Sequence, residues 1–190
     1  MSKKIYFLFV LAAGVASCVQ QADSTSPAFQ IPENAIIQDY ASIDGLQKAT
    51  VKQGNVTQGE GDFLDGKHHG TWVAYDANGK VSSVTSYFNG ERQGVELLFD
   101  NLGYVSTKAY YHANELNGEY LVYKRRNIVE RRNYKAGVLD GLQERFYVDG
   151  TTMEESIYRD GQRDGISRWY DAEGNLTIEY TYEMGQLIEE

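Results

Sequence analysis

Apolar and polar residues alternate along most of the chain, and short turn-forming clusters interrupt the alternation at regular intervals. A period of two residues is the pattern of a β-strand with two distinct faces. From residue 63 onward an aromatic residue recurs every 12 positions, with a single step of 11. These residues are Phe63, Tyr75, Tyr87, Phe99, Tyr111, Tyr123, Tyr134, Phe146, Tyr158, Tyr170 and Tyr182. Because Gly or Asn follows each of them by three or four residues, the sequence predicts strands of about seven or eight residues joined by turns of about four.

Two consecutive strand-and-turn units form a longer repeat, which is marked by the pattern G-x-x-x-G. Its period is 24 residues, with one step of 23. The pairs are Gly66/Gly70, Gly90/Gly94, Asn114/Gly118, Gly137/Gly141 and Gly161/Gly165, and Gly185 begins a truncated sixth copy. Self-similarity of this length is typical of repeat proteins. Consecutive strands this close together must pair antiparallel, because a parallel crossover needs about a dozen or more residues.

The pattern therefore predicts an all-β fold, an elongated single-layer antiparallel meander of repeated β-hairpins. We expect much of both faces to contact water, because no helical segment is predicted to cover the sheet. Neighbouring strands run in opposite directions, so the aromatic residues form two rows, in which successive rings are about 9.6 Å apart. Since this distance is too long for direct stacking, we expect each ring to lie across the intervening strand, in space that glycine leaves open.

The N-terminal residues predict export and lipidation. Residues 1–17 read as a signal peptide, because Lys3 and Lys4 precede an apolar run that is too short to span a bilayer. The run ends in VASC, which resembles the bacterial lipoprotein signal and contains the only cysteine, Cys18. The resemblance implies that Cys18 becomes the acylated N-terminus of the mature chain, since two or more acyl chains hold a protein stably on a membrane. The alternatives are an ordinary secretory signal and a short N-terminal membrane anchor.

The remaining segments follow from composition. Residues 18–44 are polar and contain both prolines of the chain, so they predict the lipidated cysteine and a flexible tether. Residues 45–65 are predicted to form a degenerate capping hairpin, and residues 66–190 are predicted to form five repeats and the truncated sixth. Val19 stands where retention in the inner membrane would favour Asp, so we expect an outer-membrane lipoprotein that faces the periplasm or the cell surface.

Net charge limits the possible partners. The chain has a formal net charge of −9, and without residues 1–17 its 16 basic groups face 27 acidic groups, a net charge of −11. An acidic exported chain repels nucleic acid, so we expect no nucleic-acid partner.

The segment GKHHGTWVAYDANG, residues 66–79, resembles the bacterial variant of the MORN repeat, G-x-x-x-G-x-W-x-x-Y-x-x-x-G. The resemblance extends over residues 66–185, although only the first copy has the tryptophan, Trp72. Later copies have Glu96, Tyr120, Gln143 and Ser167 at that position. The resemblance implies a scaffold or a membrane-associated interaction module, and proteins with such repeats are often classed as antitoxins. It implies no catalytic residues.

Candidate metal ligands are few. His68 and His69, with Asp62 and Asp65, offer imidazole and carboxylate ligands. Both histidines, however, occupy the variable middle of a G-x-x-x-G segment, so we interpret them as polar turn residues. The third histidine is His112.

The repeated turn aspartates suggest either calcium ligands or turn caps. They are Asp76, Asp100, Asp149 and Asp171. Turn capping is the better interpretation, because a calcium loop needs several oxygen ligands within one segment. The sequence also has no G-x-S-x-G, H-E-x-x-H or phosphate-binding glycine motif. We therefore predict a protein that is not an enzyme and needs no cofactor or metal.

One hairpin is basic. Its cations are Lys124, Arg125, Arg126, Arg131, Arg132 and Lys135. They either form a docking patch for an acidic partner, an anionic lipid or a polysaccharide, or pair across strands with Glu115, Glu119 and Glu144.

These observations predict a non-catalytic, lipid-anchored protein of the cell envelope that presents a repeat surface to a protein partner. The membrane is then contacted through the N-terminal lipid. Two alternatives remain at this stage. One is an immunity or antitoxin-like protein that neutralises an exported toxin, and the other is an envelope glycan-binding protein that uses exposed tyrosines as sugar platforms.

Overall fold

The computed structural model describes residues 31–189, and the regular structure in this part of the chain is a single 15-stranded sheet. The strands are β1 (Ala35–Asp39), β2 (Leu46–Gln53), β3 (Val56–Leu64), β4 (Lys67–Tyr75), β5 (Val81–Phe88), β6 (Glu91–Phe99), β7 (Val105–His112), β8 (Glu115–Lys124), β9 (Asn127–Lys135), β10 (Val138–Leu139), β11 (Gly141–Phe146), β12 (Thr152–Arg159), β13 (Gln162–Tyr170), β14 (Leu176–Glu183) and β15 (Gln186–Glu189). Spatial order follows chain order, every pair is antiparallel, and the short β10 pairs with β9 beside β11. The predicted all-β antiparallel meander is confirmed.

Two kinds of turn alternate along the chain and define two edges of the ribbon. At one edge, two-residue turns place both residues at positive φ, as in Asn89 (52°) and Gly90 (89°). This is the type I′ geometry that suits the twist of a hairpin, and it favours Gly and Asn. We call this edge the glycine edge. At the opposite edge most turns contain an aspartate, namely Asp76, Asp100, Asp149 or Asp171, and we call it the aspartate edge.

The turn aspartates cap the backbone. Asp76 Oδ1 accepts hydrogen bonds from the backbone N–H groups of Asn78 (2.8 Å) and Lys80 (3.0 Å). Asp100 and Asp171 each accept two equivalent bonds, and Asp149 accepts one from Thr151. The backbone hydrogen bond from Lys80 is the main reason that the pKa of Asp76 is lowered. The predicted turn-capping role is therefore confirmed.

The single short step in the repeat has a local cause. On the aspartate edge, Phe99 pairs with Val105, six residues later. At the equivalent place between β8 and β9, Tyr123 pairs with Ile128, five residues later. The turn there lacks an aspartate and places Arg125 at a φ of 60°. One turn residue is thus missing, while the strands on either side keep their length and pairing.

Cross-strand register aligns equivalent positions of the repeats into columns. Residues opposite each other on paired strands share a face of the sheet. One column consists of Ala49, Gly61, Trp72, Thr85, Glu96, Ala109, Tyr120, Arg132, Gln143, Ser156, Ser167 and Tyr180. We call the face that carries this column the front face and the opposite one the back face. All five residues at the tryptophan position of the repeat therefore lie in one front-face column.

A second front-face row contains the aromatic residues next to the glycine edge. Tyr87 is the register partner of Gly70, and Tyr182 is the register partner of Gly165. The side chain two residues beyond each turn Gly or Asn lies beside the preceding ring, and in every repeat before the last it lies between two successive rings. These intervening side chains are His68, Arg92, Leu116, Leu139, Arg163 and Leu187, each in register with the preceding ring.

The expected packing over glycine is therefore wrong for the row of rings next to the glycine edge. Trp72, which is not one of the regularly spaced rings, does pack over glycine, because a Cβ added to Gly59 or Gly61 would lie within 2.7 Å of its ring. In the edge row, a side chain from the intervening strand fills the space between rings instead. His68, for example, lies 4.5 Å from both Phe63 and Tyr87, measured between ring centroids.

The N-terminal segment differs from the prediction. Residues 35–39, assigned to the tether, form β1, whose register with β2 pairs Ile37 with Ala49. Tyr40 holds the following loop by donating a hydrogen bond to Asp62 (2.9 Å). The flexible tether is therefore wrong for residues 35–39, where β-branched residues favour a strand. β2 and β3 lie within the segment predicted as a capping hairpin, and Cys18 lies outside the described residues.

Candidate interaction surfaces

The predicted basic patch is divided by the fold. Lys124, Arg125 and Arg126 are exposed at the aspartate edge, whereas Lys135 is exposed at the other end of β9. Arg131 and Arg132 lie between these ends and point to opposite faces, because adjacent strand residues alternate. The six cations therefore do not form one continuous surface.

The two arginines within β9 form ion pairs inside the sheet. On the back face, Arg131 lies 3.2 Å from a carboxylate oxygen of Glu119 and 2.7 Å from one of Glu144. On the front face, Arg132 pairs with Glu130 at 2.7 Å. The cross-strand interpretation thus applies to Arg131, with two of the three glutamates named for it.

Lys124, Arg125 and Arg126 form a more exposed group, which we call the basic turn. The neighbouring turns of the same edge carry Leu102, 69% exposed, and Val148, 53% exposed. The guanidinium carbon of Arg126 lies 5.5 Å from the centroid of the Tyr104 ring. This part of the aspartate edge therefore combines positive charge with exposed apolar surface.

His68 is buried, with 4% of its surface exposed, in the aromatic cluster formed by Phe63, Trp72 and Tyr87. Burial lowers its pKa to about 4. The predicted role as a polar turn residue is wrong, because the turn is formed by Asp65 and Gly66 and His68 lies in β4. The sequence did contain a signal for this burial. His68 follows the turn glycine Gly66 by two residues, and this position is in register with the preceding aromatic residue, Phe63.

The proposed metal ligands do not converge. His69 projects from the back face, where it is in register with Asp62, while His68 projects from the front face. Within residues 31–189, no group of three or more His, Cys, Asp or Glu side chains is arranged to hold a metal ion.

A cavity of about 280 Å³ opens on the front face between β9 and β13. Arg132, Arg145 and Arg163 line it, together with Glu130, Glu154 and Tyr158. The carboxylate of Glu154 forms ion pairs with two arginines. Its oxygens lie 2.8 Å from a guanidinium nitrogen of Arg163 and 3.5 Å from one of Arg145. Single-sequence reasoning missed this group, because its members are separated by up to 33 positions and only the register brings them together.

Comparison with protein families identifies the repeat. The model of the MORN repeat variant matches residues 69–89 and 163–184, in the first and fifth copies. This repeat is a non-enzymatic type. No curated protein matches the chain. Among the described residues, no helix has the length and apolar character needed to span a membrane.

Proposed function

We propose that this chain is a non-catalytic, lipid-anchored cell-envelope protein whose ribbon binds an acidic protein partner through the basic turn. The observation that carries the proposal is the position of Lys124, Arg125 and Arg126 at an exposed edge, between the apolar side chains of Leu102 and Val148. Charges that are already paired within a sheet contribute little to a partner, whereas exposed charges beside apolar anchors guide association and contribute contact area.

The shape of the ribbon supports an interaction role. The fully buried apolar side chains among the described residues are few, namely Ala49, Phe63, Ala109 and Leu121. Apart from the buried polar residues His68, Thr85, Ser156 and Ser167, most of the remaining side chains are at least partly accessible, so a long backbone holds many surface groups at a fixed spacing. MORN repeats mediate protein and membrane contacts in general, which agrees with this use of the fold.

Site-specific photo-crosslinking in intact envelopes tests the proposed surface. A photoreactive residue at position 102 or 148 is expected to capture one discrete protein, through an acidic peptide of that protein. Replacing Arg125 and Arg126 by Gln is expected to remove the crosslink, because the two nearest cations are lost while the apolar contacts remain. A photoreactive residue at position 136, on the glycine edge, is the matched control.

An unchanged crosslink in the double Gln variant would contradict the proposal, as would equal capture at position 136. Capture of a secreted toxin would identify the chain as an immunity protein that uses the same edge.

The lipid anchor is supported by Lys3 and Lys4, the apolar run after them, and Cys18 directly after Ala16 and Ser17. We expect the wild-type chain to incorporate labelled palmitate and to fractionate with the outer membrane. Cys18→Ser is expected to abolish labelling, because it removes the acceptor thiol. Labelling that persists in this variant would contradict lipidation at Cys18.

A further inference from the structure

Gln143, a residue of the central column, lines the front-face cavity between β9 and β13. In this part of the central column, Gln143, Ser156 and Ser167 succeed one another, and both serines are buried. In the N-terminal half, the same column contains the large indole of Trp72. The side chains that follow Gln143 in this column are thus small, and the larger side chains around it line the cavity.

The walls supply both hydrogen-bond donors and acceptors. Arg132, Arg145 and Arg163 are donors, and the carboxylates of Glu130 and Glu154 are acceptors. Arg145 is the least engaged of the three cations, because its side chain is 58% exposed and its ion pair with Glu154 is 3.5 Å long. The lining has three guanidinium groups and three carboxylates, because Glu144 also lines the cavity, so its formal charge is zero within an acidic chain. Glu144 pairs with Arg131, which leaves Glu130 and Glu154 as the acceptors closest to the three arginines.

An aromatic ring completes the cavity. Tyr158 lines it, and Arg163 lies 5.8 Å from the centroid of that ring. A sugar ring packs on such a surface through its C–H groups, and its hydroxyls both donate and accept hydrogen bonds. A simple anion would gain nothing from Glu130 and Glu154, and a neutral sugar would leave Arg145 with only its long ion pair to Glu154.

We propose that this cavity binds one carboxylated sugar residue, a hexuronate, of an anionic polysaccharide. Arg145 holds the carboxylate, for which the planar guanidinium is well suited. Glu130 and Glu154 accept hydrogen bonds from ring hydroxyls, and the sugar contacts the part of the Tyr158 side chain that lines the cavity. The volume of about 280 Å³ is near the lower limit of small-molecule sites, which suits one sugar residue.

This inference is independent of the proposed protein partner. The cavity lies on the front face, whereas the basic turn lies at the aspartate edge. A variant at Arg145 therefore tests the cavity, and a variant at Arg125 and Arg126 tests the edge.

Isothermal titration of the full-length chain in detergent tests the cavity directly. The probes are digalacturonate and diglucuronate, which distinguish the two common sources of a hexuronate, with lactose as the neutral probe and hexaglutamate as the acidic peptide. At least one uronate is expected to bind about tenfold more tightly than lactose and hexaglutamate. Arg145→Gln is expected to weaken uronate binding by about tenfold or more, since it removes a charge-assisted hydrogen bond.

Arg159→Gln is the matched control. Arg159 is an exposed arginine of β12 that pairs with Asp164 at 2.8 Å, and it follows Tyr158 directly, so it projects from the back face. This variant has the same change in net charge and is expected to bind uronate within about twofold of the wild type.

Several results would overturn the proposal: no uronate binding, equal binding of lactose or hexaglutamate, or equal weakening by the two Gln variants. Circular dichroism verifies that each variant is folded. Should Arg145→Gln fail to fold, Arg145→Lys replaces it, because it keeps the charge and loses the planar fork. Undiminished uronate binding by Arg145→Lys would likewise overturn the role of Arg145.

Discussion

The first and fifth repeats place different side chains at the same position between two aromatic rings. In the first, the neutral His68 lies between Phe63 and Tyr87, with Trp72 also in contact. In the fifth, Arg163 lies between Tyr158 and Tyr182, at 5.8 and 5.6 Å from their centroids. The backbone of the repeat thus specifies the space between rings, and either an aromatic heterocycle or a cation fills it.

The back face shows the same difference. One column on that face contains Val73, Val84 and Leu97 in the N-terminal half. In the C-terminal half it contains Arg131, Glu144, Glu155, Arg168 and Glu179. Arg168 pairs with Glu179 at 2.7 Å, and Arg131 with Glu144 at the same distance. Apolar side chains therefore predominate in this column between β4 and β6, whereas ion pairs predominate in its C-terminal part.

The largest expected effect is the loss of a ring from the apolar half. Phe63 is completely buried, so Phe63→Ala should reduce the free energy of unfolding by about 3–5 kcal/mol. The equivalent change Tyr158→Ala should cost less, about 1–3 kcal/mol, because this ring is half-buried beside a flexible arginine. Urea denaturation followed by far-UV circular dichroism measures both. An equal loss would show that the two halves are packed alike.

Acid should affect the two halves unequally. His68 has a folded-state pKa of about 4, below its ordinary value of 6.5. The folded chain favours the neutral imidazole. The contribution of His68 to the free energy of unfolding is therefore fully present above pH 6.5 and is lost as pH falls towards 4. The loss amounts to roughly 3 kcal/mol.

Two tryptophan variants resolve this effect by position. Trp169→Phe leaves Trp72 fluorescence as a reporter beside His68, and Trp72→Phe leaves Trp169 beside Arg163. Trp72 should report a shift between these pH values that His68→Phe removes, whereas Trp169 should not. Identical profiles from the two reporters would assign the acid response to another group.

Two equivalent glycines, Gly70 in the first repeat and Gly165 in the fifth, test whether the backbone is equally constrained in the two halves. Gly165 has a φ of 125°, and an added Cβ would lie 3.3 Å from Ile157, whereas Gly70 has a φ of 70° with more space around it. We expect Gly165→Ala to cost about 1–3 kcal/mol, because that backbone region is nearly restricted to glycine. Gly70→Ala should cost about 1 kcal/mol. Thermal denaturation ranks the two variants, and a larger cost at Gly70 would reverse the comparison.

The smallest expected effect concerns salt. Glu144→Gln weakens the pair with Arg131 and should cost about 0.5–1 kcal/mol at low ionic strength, falling towards zero at about 1 M NaCl. Val84→Ala, in the apolar column of the back face, should cost a similar or larger amount that salt does not reduce. Urea titrations at the two salt concentrations test this, and equal salt dependence of the two variants would contradict the assignment.

The sequence alone determined the repeat, the antiparallel order of strands and the capping role of the turn aspartates. These features depend on residues that are close in the chain. A turn glycine and the aromatic residue before it are neighbours, so their chemistry is visible without coordinates. The same reasoning failed for residues 35–39, since one short strand has no period, and for His68, because the pattern did not show where the turn ends and the strand begins.

Only the tertiary structure decided which side chains meet. The register placed Arg131 between Glu119 and Glu144, moved Lys135 away from the basic turn, and brought Arg145 and Arg163 to one carboxylate, that of Glu154. The physical reason is that the face and cross-strand neighbours of a residue depend on every turn and bulge before it, and a shift of one residue would exchange the two faces.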